Sequence, residues 1–545
     1  MDEHGRGWTR WFSGAGARVW AAVLFAVLLV WVERPPRALP ADAPGEVFSA
    51  ARAMAHVAVM ASEPRPSGSA HHAAMRGYLK ERLSEVGLTP EEYPFVAKDD
   101  PYVNVIARVP GTAPTGAIVL MAHYDSVKRA PGAADDASGV AALLEVMRAL
   151  QPSLPLRNDL IVLLTDGEEL GLFGATEFVQ HDARFAGVKL VMNLEARGNS
   201  GPSLMFETHR ENGWVVRAYG KASPRPFATS ACLAVYQAMP NDTDFSPFRN
   251  AETAGLNFAN LEGVTHYHTP LDRAEELDAG SVQHHGAQVL ALTRHFGGLD
   301  LSSTDAPPVT YFSVFARWLV SYPLSWELPL AAIGAIGALA ALGAGLCRKR
   351  ISALSMAGSL ALFGVLCGIF CVLLPLGWAS YARQVLRSLY TGEIVYSRAY
   401  MHLLEHPPLA LLLFSGIILT VFYFAYRRML PWAGAQGLAA GPIVVCAAAG
   451  LATAIALPGF SYFFVLPLYC ALVVYWVSGR PGWVAQAVSG FMVALTLIIH
   501  AAMLVQFFAS LPAMPVPSLS IVALDFGVFA AYWFGEREGG GVIEE

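Results

Sequence analysis

Between residues 119 and 140 the sequence reads VLMAHYDSVKRAPGAADDASGV, which places His123, Asp125, Asp135 and Asp136 close together in a stretch otherwise rich in Ala and Gly. Further polar clusters follow other short apolar runs: Asp166-Gly167-Glu168-Glu169 after LIVLL, Asn193-Leu194-Glu195 after KLVM, and later the run His266-Tyr267-His268-Thr269-Pro270-Leu271-Asp272. Singly, each has an ordinary explanation: Asp135 or Asp136 as a helix cap, Glu168 and Glu169 as first-turn acids, His268 as a loop histidine. Together they would bring many carboxylates to one place with almost no Lys or Arg beside them. Unpaired carboxylates at one site repel and resist ionisation. A pair of divalent cations resolves the conflict, because imidazole and carboxylate oxygen suit zinc, and two metals about 3.5–4 Å apart need one bridging carboxylate. On that reading His123 is a terminal ligand, Asp125 fixes its tautomer and Asp135 is the shared ligand. Of the adjacent Glu168 and Glu169, one binds metal while the other takes a proton from the attacking water.

Such convergence requires a scaffold that gathers distant strand ends. Apolar runs at residues 103–109, 118–122, 160–164, 190–194, 204–206 and 256–259 alternate with helix-like segments at 138–150, 174–180 and 278–295, after two helices predicted at 50–61 and 70–86. Runs that are apolar throughout predict an α/β three-layer sandwich with a mostly parallel central sheet, whose ligands gather at the carboxyl ends of strands. The polar clusters stand at those ends.

The chain has 545 residues, too many for one compact domain, and its 54% hydrophobic residues exceed a soluble average of about 45–50%. Charged residues are frequent from about residue 46 to 305 and nearly vanish afterwards. The predicted organisation is a cytoplasmic N-terminus (1–18), a transmembrane anchor (19–32), a linker (33–45), an extramembrane domain (46–300), a second linker (301–325), an all-α multi-span transmembrane domain of about seven spans (326–534) and a cytoplasmic tail (535–545). The seven spans are read at roughly 326–347, 354–378, 409–426, 438–457, 462–477, 483–507 and 519–534. Arg348-Lys349-Arg350, Arg427-Arg428 and Arg480 then all fall on the N-terminal side of the membrane. The positive-inside rule makes that side cytoplasmic and puts the extramembrane domain and the loop 379–408 opposite. His500 and Asp525 lie inside apolar runs, where an interhelical hydrogen bond is the simplest reading. A net charge of −6 without a basic stripe excludes nucleic acid as a partner. Of six cysteines only Cys232 lies in the charge-rich segment, so no disulfide framework forms there.

The ordered motifs PRPSGS (64–69), AHYDS (122–126), PGAADDASG (131–139), DGEELGLFG (166–174), NLEARG (193–198), NDTDF (241–245) and YHTPLD (267–272) resemble those of the zinc-dependent exopeptidases. That family contains bacterial secreted aminopeptidases, glutamate carboxypeptidase II, the transferrin receptor and glutaminyl cyclases. The added hydrophobic spans are similar in plan to the endoplasmic-reticulum metallopeptidases, the vacuolar membrane proteases and their bacterial relatives. The resemblance implies two zinc ions per chain, with Asp135 bridging, His123 and Glu195 completing one, and Glu169 and His268 the other. It implies Glu168 as general base and a cis peptide between Asp135 and Asp136. It also makes Tyr267 a candidate to hydrogen-bond the oxyanion, with packing as its ordinary alternative, and Asp242 or Asp244 a candidate contact for the substrate amine. His181, His209, His284 and His285 match no ligand position and are expected at the surface, while His266 competes with His268 for the ligand role.

The expected activity is that of a membrane-anchored di-zinc aminopeptidase acting on peptides outside the cytoplasm, at the periplasmic face of the inner membrane if the source is bacterial. A carboxypeptidase would show a basic cluster, and only Arg197, Arg249 and Arg273 adjoin the motifs. The rival readings are a catalytically inactive membrane scaffold or receptor-like module and a glutaminyl-cyclase-like acyltransferase. The expected partners are peptide and the lipid bilayer; homo-oligomerisation and a membrane partner are left open.

Overall fold

A computed structural model of the chain describes residues 15–369, 407–478, 480, 482–510 and 515–535. Most of the predicted N-terminal segment 1–18, part of the predicted span 354–378, nearly all of the loop 379–408 and nearly all of the tail 535–545 lie outside the described residues. The described residues fall into two compact units, one of residues 34–324 and one of residues 15–33 together with those beyond 324.

The first unit is built on strands β1 (Pro90–Ala97), β2 (Asp100–Val109), β3 (Ala117–His123), β4 (Asp159–Thr165), β5 (Val188–Ala196), β6 (Leu204–Thr208) and β7 (Ala254–Asn260). They lie in the order β1-β2-β4-β3-β5-β7-β6. The central strands β4, β3, β5 and β7 are parallel. The edge pairings β1–β2, β2–β4 and β6–β7 are antiparallel, so the parallel character is confined to the middle of the sheet. β1 is absent from the sequence reading because PEEYPFVA breaks any apolar run. Two prolines and two adjacent glutamates are tolerated there because β1 is an edge strand with no outer neighbour.

β3 and β4 are buried at every residue, as strands covered on both faces must be. Side chains alternate between the layers. Ile118, Leu120 and Ala122 join the core formed with helices Ala50–Met60, Gly139–Leu150 and Ala279–Gly298. Ala117, Val119 and Met121 join the opposite core with Phe178 and Phe248 of helices Phe173–His181 and Phe245–Asn250. Each large aliphatic side chain so buried contributes about 1.5–3 kcal/mol. In the sheet order β3 has its two successors on either side, so the chain leaves it in one direction and returns past it in the other. This reversal opens a crevice at the carboxyl end of β3, where His123 is the last strand residue.

The unit reaches beyond the predicted boundaries 46 and 300. Arg34 pairs with buried Glu262 at 2.5 Å, and the Leu39 N–H donates to Gln283 at 2.9 Å, so residues 34–45 are packed rather than a free linker. Residues Val309–Val314 and Trp318–Pro323 form a hairpin, β8 and β9, with Tyr311 fully buried. Residues 301–325 are predicted as a linker, but Val309 and Tyr311, two apart on a strand, turn one face of the hairpin into the core.

In the second unit, three helices among the described residues are long and apolar enough to cross a membrane: Leu324–Cys347, Pro408–Ala456 and Trp483–Ala509. Shorter apolar helices are Ala17–Val32, Ala353–Ile369, Tyr462–Val477 and Ser518–Val528. The predicted spans 409–426 and 438–457 lie on one helical segment, Pro407–Ala456, interrupted at Gly434, whose φ is 66° and ψ 163°. A straight helix of 50 residues would be about 75 Å long, far beyond the hydrocarbon thickness of about 30 Å. The break divides it into arms that each suffice for one crossing. His500 and Asp525 meet as an interhelical pair, Nδ1 to Oδ2 at 2.7 Å, while His500 Nε2 lies 2.7 Å from the Phe463 carbonyl oxygen. Both imidazole nitrogens are thereby partnered inside an apolar bundle, while Asp525 Oδ1 is buried without a partner among the described residues.

Tyr311→Ala tests whether the hairpin belongs to the domain. Removing a fully buried aromatic costs about 3–5 kcal/mol, so the thermal midpoint of the solubilised protein should fall by on the order of 10 °C. An unchanged midpoint would return residues 301–325 to the role of a linker.

Candidate metal centre

The loops after the parallel strands bring the dispersed polar residues to one point. His123 Nε2 lies 3.1 Å from Asp135 Oδ1 and 3.9 Å from Glu195 Oε2, and His123 Nδ1 lies 3.4 Å from Asp125 Oδ1. His268 Nε2 lies 3.0 Å from Asp135 Oδ2 and 3.1 Å from Glu169 Oε2. The two oxygens of Asp135 therefore face two different groups. One is His123, Asp135 and Glu195, the other Asp135, Glu169 and His268; within each, one ligand atom per residue lies within 4.8 Å of the others.

Backbone and side-chain braces hold this arrangement. The Asp135-Asp136 peptide is cis. Gly132, at φ 66°, starts the turn, and a Cβ there would sit 2.4 Å from the Asp135 carbonyl oxygen, so no larger residue fits. Arg65 is fully buried and its guanidinium donates to the carbonyls of Tyr124, Pro131 and Gly132, tying the end of β3 to this loop. Asp272 accepts the N–H groups of Ala134 at 2.7 Å and Asp135 at 3.3 Å. Asp125 accepts those of Glu168 and Glu169, both at 3.3 Å, and so fixes the acidic turn against the histidine. Asp166 accepts from Ser67 Oγ at 2.7 Å and Val103 N at 2.9 Å, and lies 3.0 Å from His72 Nε2. The sequence reading assigned no role to Arg65, Ser67, His72, Asp166 or Asp272. The available signal was a polar residue set among small ones, Arg65 between two prolines and Asp272 four residues after His268.

The remaining predicted residues fall around this centre. Glu168 is half-buried beside Glu169. Tyr267 stacks on the His268 imidazole with ring centroids 3.8 Å apart and 17° between planes. Asp244 is fully buried and accepts the Thr165 hydroxyl. Asp242 is exposed, accepts Ser246 Oγ at 2.8 Å and pairs with Arg249 at 3.4 Å. His266 turns its Nδ1 to the Gly263 carbonyl oxygen at 3.2 Å and belongs to neither ligand group. His181 is exposed and paired with Glu177. His209, His284 and His285, expected at the surface, are instead buried. His284 accepts the Ser203 N–H and faces the Arg225 carbonyl oxygen, so it serves as a packed polar core residue that helix Ala279–Gly298 carries inward.

Electrostatics expose the strain of this assembly. Burial, with Asp135 nearby, pushes the Glu195 carboxyl up to about 8. Burial also raises Glu168 well above the ordinary carboxylate range, aided by the charges of Glu195, Asp244 and Glu169. Asp244 rises to about 7 and Asp272 to about 7, again chiefly by burial. Against the opposing effect of burial, Asp135 and Glu169 lift His268 to about 10, and Asp125 and Asp135 hold His123 well above its usual value. Protons thus compensate carboxylates that a cation would otherwise neutralise.

The side chains fit such cations. Glu169 Oε1, His268 Nε2 and His123 Nδ1 are buried without a hydrogen-bond partner among the described residues. His268 Nε2 lies 3.0 and 3.1 Å from carboxylate oxygens of Asp135 and Glu169 yet outside hydrogen-bond geometry, as co-ligands aimed at a common point are arranged. Imidazole with carboxylate oxygen is a donor set that zinc accepts.

In the metal-free protein Glu195, Asp244 and Asp272 bind their protons more tightly folded than unfolded. Their contribution is therefore full below the unfolded values near pH 4 and is lost as pH rises toward about 7 to 8. Chemical denaturation should show stability falling from about pH 5 to about pH 8, and saturating zinc should remove that slope. A metal-free protein with flat stability across this range would contradict the buried-carboxylate account. Asp272→Ala should weaken zinc retention about 10- to 100-fold during dialysis against a chelator, because the bridging loop loses its acceptor.

The family model described as Peptidase family M28 matches residues 104–293. Endoplasmic reticulum metallopeptidase 1 of Mus musculus is 32% identical over 238 residues, 42% of this chain and 26% of that protein. The chain spans about a quarter of the length of the curated relatives it matches first. Among solved structures, Porphyromonas gingivalis glutaminyl cyclase is 21% identical, covering 45% of this chain and 98% of that one at a TM-score of 0.37. The aminopeptidase from Aneurinibacillus sp. strain AM-1 is 14% identical, covering 48% and 96% at a TM-score of 0.40. The matched residues 104–293 enclose both ligand groups, so this part of the chain is similar to peptidase family M28.

Proposed function

We propose that the chain is a membrane-bound two-zinc exopeptidase that removes N-terminal residues from peptides on the non-cytoplasmic side of its membrane. The observation that carries this reading is the Asp135 carboxylate, whose two oxygens serve two separate ligand groups. His123 and Glu195 would hold one zinc with Asp135, and Glu169 and His268 the other. When bound, the zinc pair acidifies a water and polarises the scissile carbonyl. Glu168 takes a proton from the attacking water and returns it to the departing amine nitrogen. Asp125 orients His123 and the Glu168–Glu169 turn together. Tyr267, held flat against His268, is positioned to donate to the oxyanion, and Asp244 or Asp242 to receive the substrate's ammonium group.

The helical unit supports a multi-pass membrane protein of up to eight spans, counting the anchor and both arms of the interrupted helix. The basic clusters at residues 348–350, 427–428 and 480 support a cytoplasmic assignment for the N-terminal side. A scaffold role is disfavoured because every ligand position and the base position are filled, and an acyltransferase is disfavoured by the duplicated ligand groups.

Glu168→Gln should lower kcat for aminoacyl-amide hydrolysis by about 10²- to 10⁴-fold while retaining wild-type zinc content. Zinc measured on the same samples separates loss of the base from loss of the metal. A variant that stays fully active removes Glu168 from the mechanism, and a wild type that carries no zinc moves the weight to the scaffold reading.

A further inference from the structure

Arg197, Arg249 and Arg273 stand beside the later site motifs, and their surroundings differ. Arg249 is neutralised by buried Glu207 and by Asp242, and Arg273 pairs with Glu276 at 3.0 Å. Arg197, two residues after Glu195, forms no ion pair among the described residues. It is half-buried, and its guanidinium carbon lies 4.7 Å from the centroid of the Tyr267 ring. His268 also stacks on that ring, and its Nε2 faces Asp135 and Glu169. Guanidinium and imidazole are therefore both layered on the one phenol, the imidazole being a side chain of the metal centre.

Two physical points follow from the layering. A guanidinium over an aromatic face uses its π surface for that contact and leaves its in-plane N–H donors available. Those donors match a carboxylate in bidentate geometry, the strongest hydrogen-bonded pairing the side chain makes. A half-buried cation without its own carboxylate, in a site crowded with carboxylates committed elsewhere, is left for an incoming anion.

We propose that Arg197 recognises a substrate carboxylate lying within about one residue of the scissile bond. The preferred substrates are then dipeptides, bound by their α-carboxylate, or peptides with an acidic side chain at that position. This rests on the exopeptidase reading and adds to it the class of substrate. In chemical terms the site reads both ends of a very short peptide, its ammonium through the carboxylates and its carboxylate through Arg197.

The test compares wild type, Arg197→Gln and Arg197→Lys on Ala-Ala, Ala-Ala-amide and Ala-Asp-amide, with zinc content measured for each protein. Wild type should favour at least one carboxylate-bearing substrate over Ala-Ala-amide by about 10-fold or more in kcat/KM, chiefly through KM. Preference for Ala-Ala identifies the α-carboxylate, and preference for Ala-Asp-amide identifies the side chain. Arg197→Gln should remove the preference, reducing the carboxylate-bearing substrate about 10- to 100-fold more than the amide, and Arg197→Lys should restore part of it. An equal loss on all three substrates would make Arg197 a positioning residue for Tyr267 and overturn the proposal, as would a wild type without preference. A zinc-loaded wild type inactive on all three would overturn the exopeptidase reading itself, and this inference with it.

Discussion

Mutual repulsion among buried carboxylates is the constraint on which the centre depends. Asp125, Asp135, Asp136, Glu195 and Asp244 are all buried, and Glu168 and Glu169 are half-buried beside them. Taking one carboxylate out of water is costly, and adding others nearby compounds the cost. Among the described residues the one fully buried guanidinium, Arg65, faces Asp125, Asp135, Asp136 and Asp272 with a single positive charge and spends its hydrogen bonds on backbone carbonyls, so it offsets only part of the repulsion. The cluster is tolerable only if protons or metal ions supply the balance, and the paired orientation of the Asp135 oxygens is what distributes that balance over two places.

Much of the surrounding architecture exists to hold charges that would otherwise move apart. The parallel strands aim their ends at one crevice, and β3 sits where the chain reverses its direction across the sheet. Asp272 and Arg65 fix the bridging loop from opposite sides, one by accepting N–H groups and the other by donating to carbonyls. Asp125 performs two tasks at once, facing His123 and capping the turn that bears Glu168 and Glu169. Because these braces use the backbone, a modest displacement of any one strand end would disturb several ligands together. Preorganisation of this kind lets a base and an electrophile act without moving at the moment of reaction.

The helical unit obeys a different solvent. Its helices are apolar around their whole circumference, so periodicity carries little information about which face meets which neighbour. The few polar side chains are correspondingly informative. His500 and Asp525 satisfy each other and the Phe463 carbonyl, joining three helices through one imidazole. Gly434 interrupts what would otherwise be an overlong helix, and the adjoining Arg427 and Arg428 mark the end of the first arm with charge.

By itself the sequence determined the class of scaffold and set out the candidate ligands. His123 and Asp135 stood out because metal ligation demands particular residue types and because the fully buried strand β3 leaves an apolar run before them, whereas the full set with Glu169, Glu195 and His268 came from the motifs' resemblance to a known family. It also located the apolar helices, since length and hydropathy are local properties. Tertiary structure alone decided the rest. β1 and the β8–β9 hairpin were hidden because edge strands carry prolines and charges and short hairpins lack a long run. The burial of His209, His284 and His285 depends on which helix and strand faces meet, and the service of Arg65 and Asp272 depends on loops more than sixty residues away in sequence. That Arg249 and Arg273 are neutralised while Arg197 has no ion pair among the described residues is likewise a matter of which carboxylates the fold brings within reach. Side-chain chemistry is written one residue at a time, whereas charge compensation and burial are sums over neighbours that only a folded chain defines.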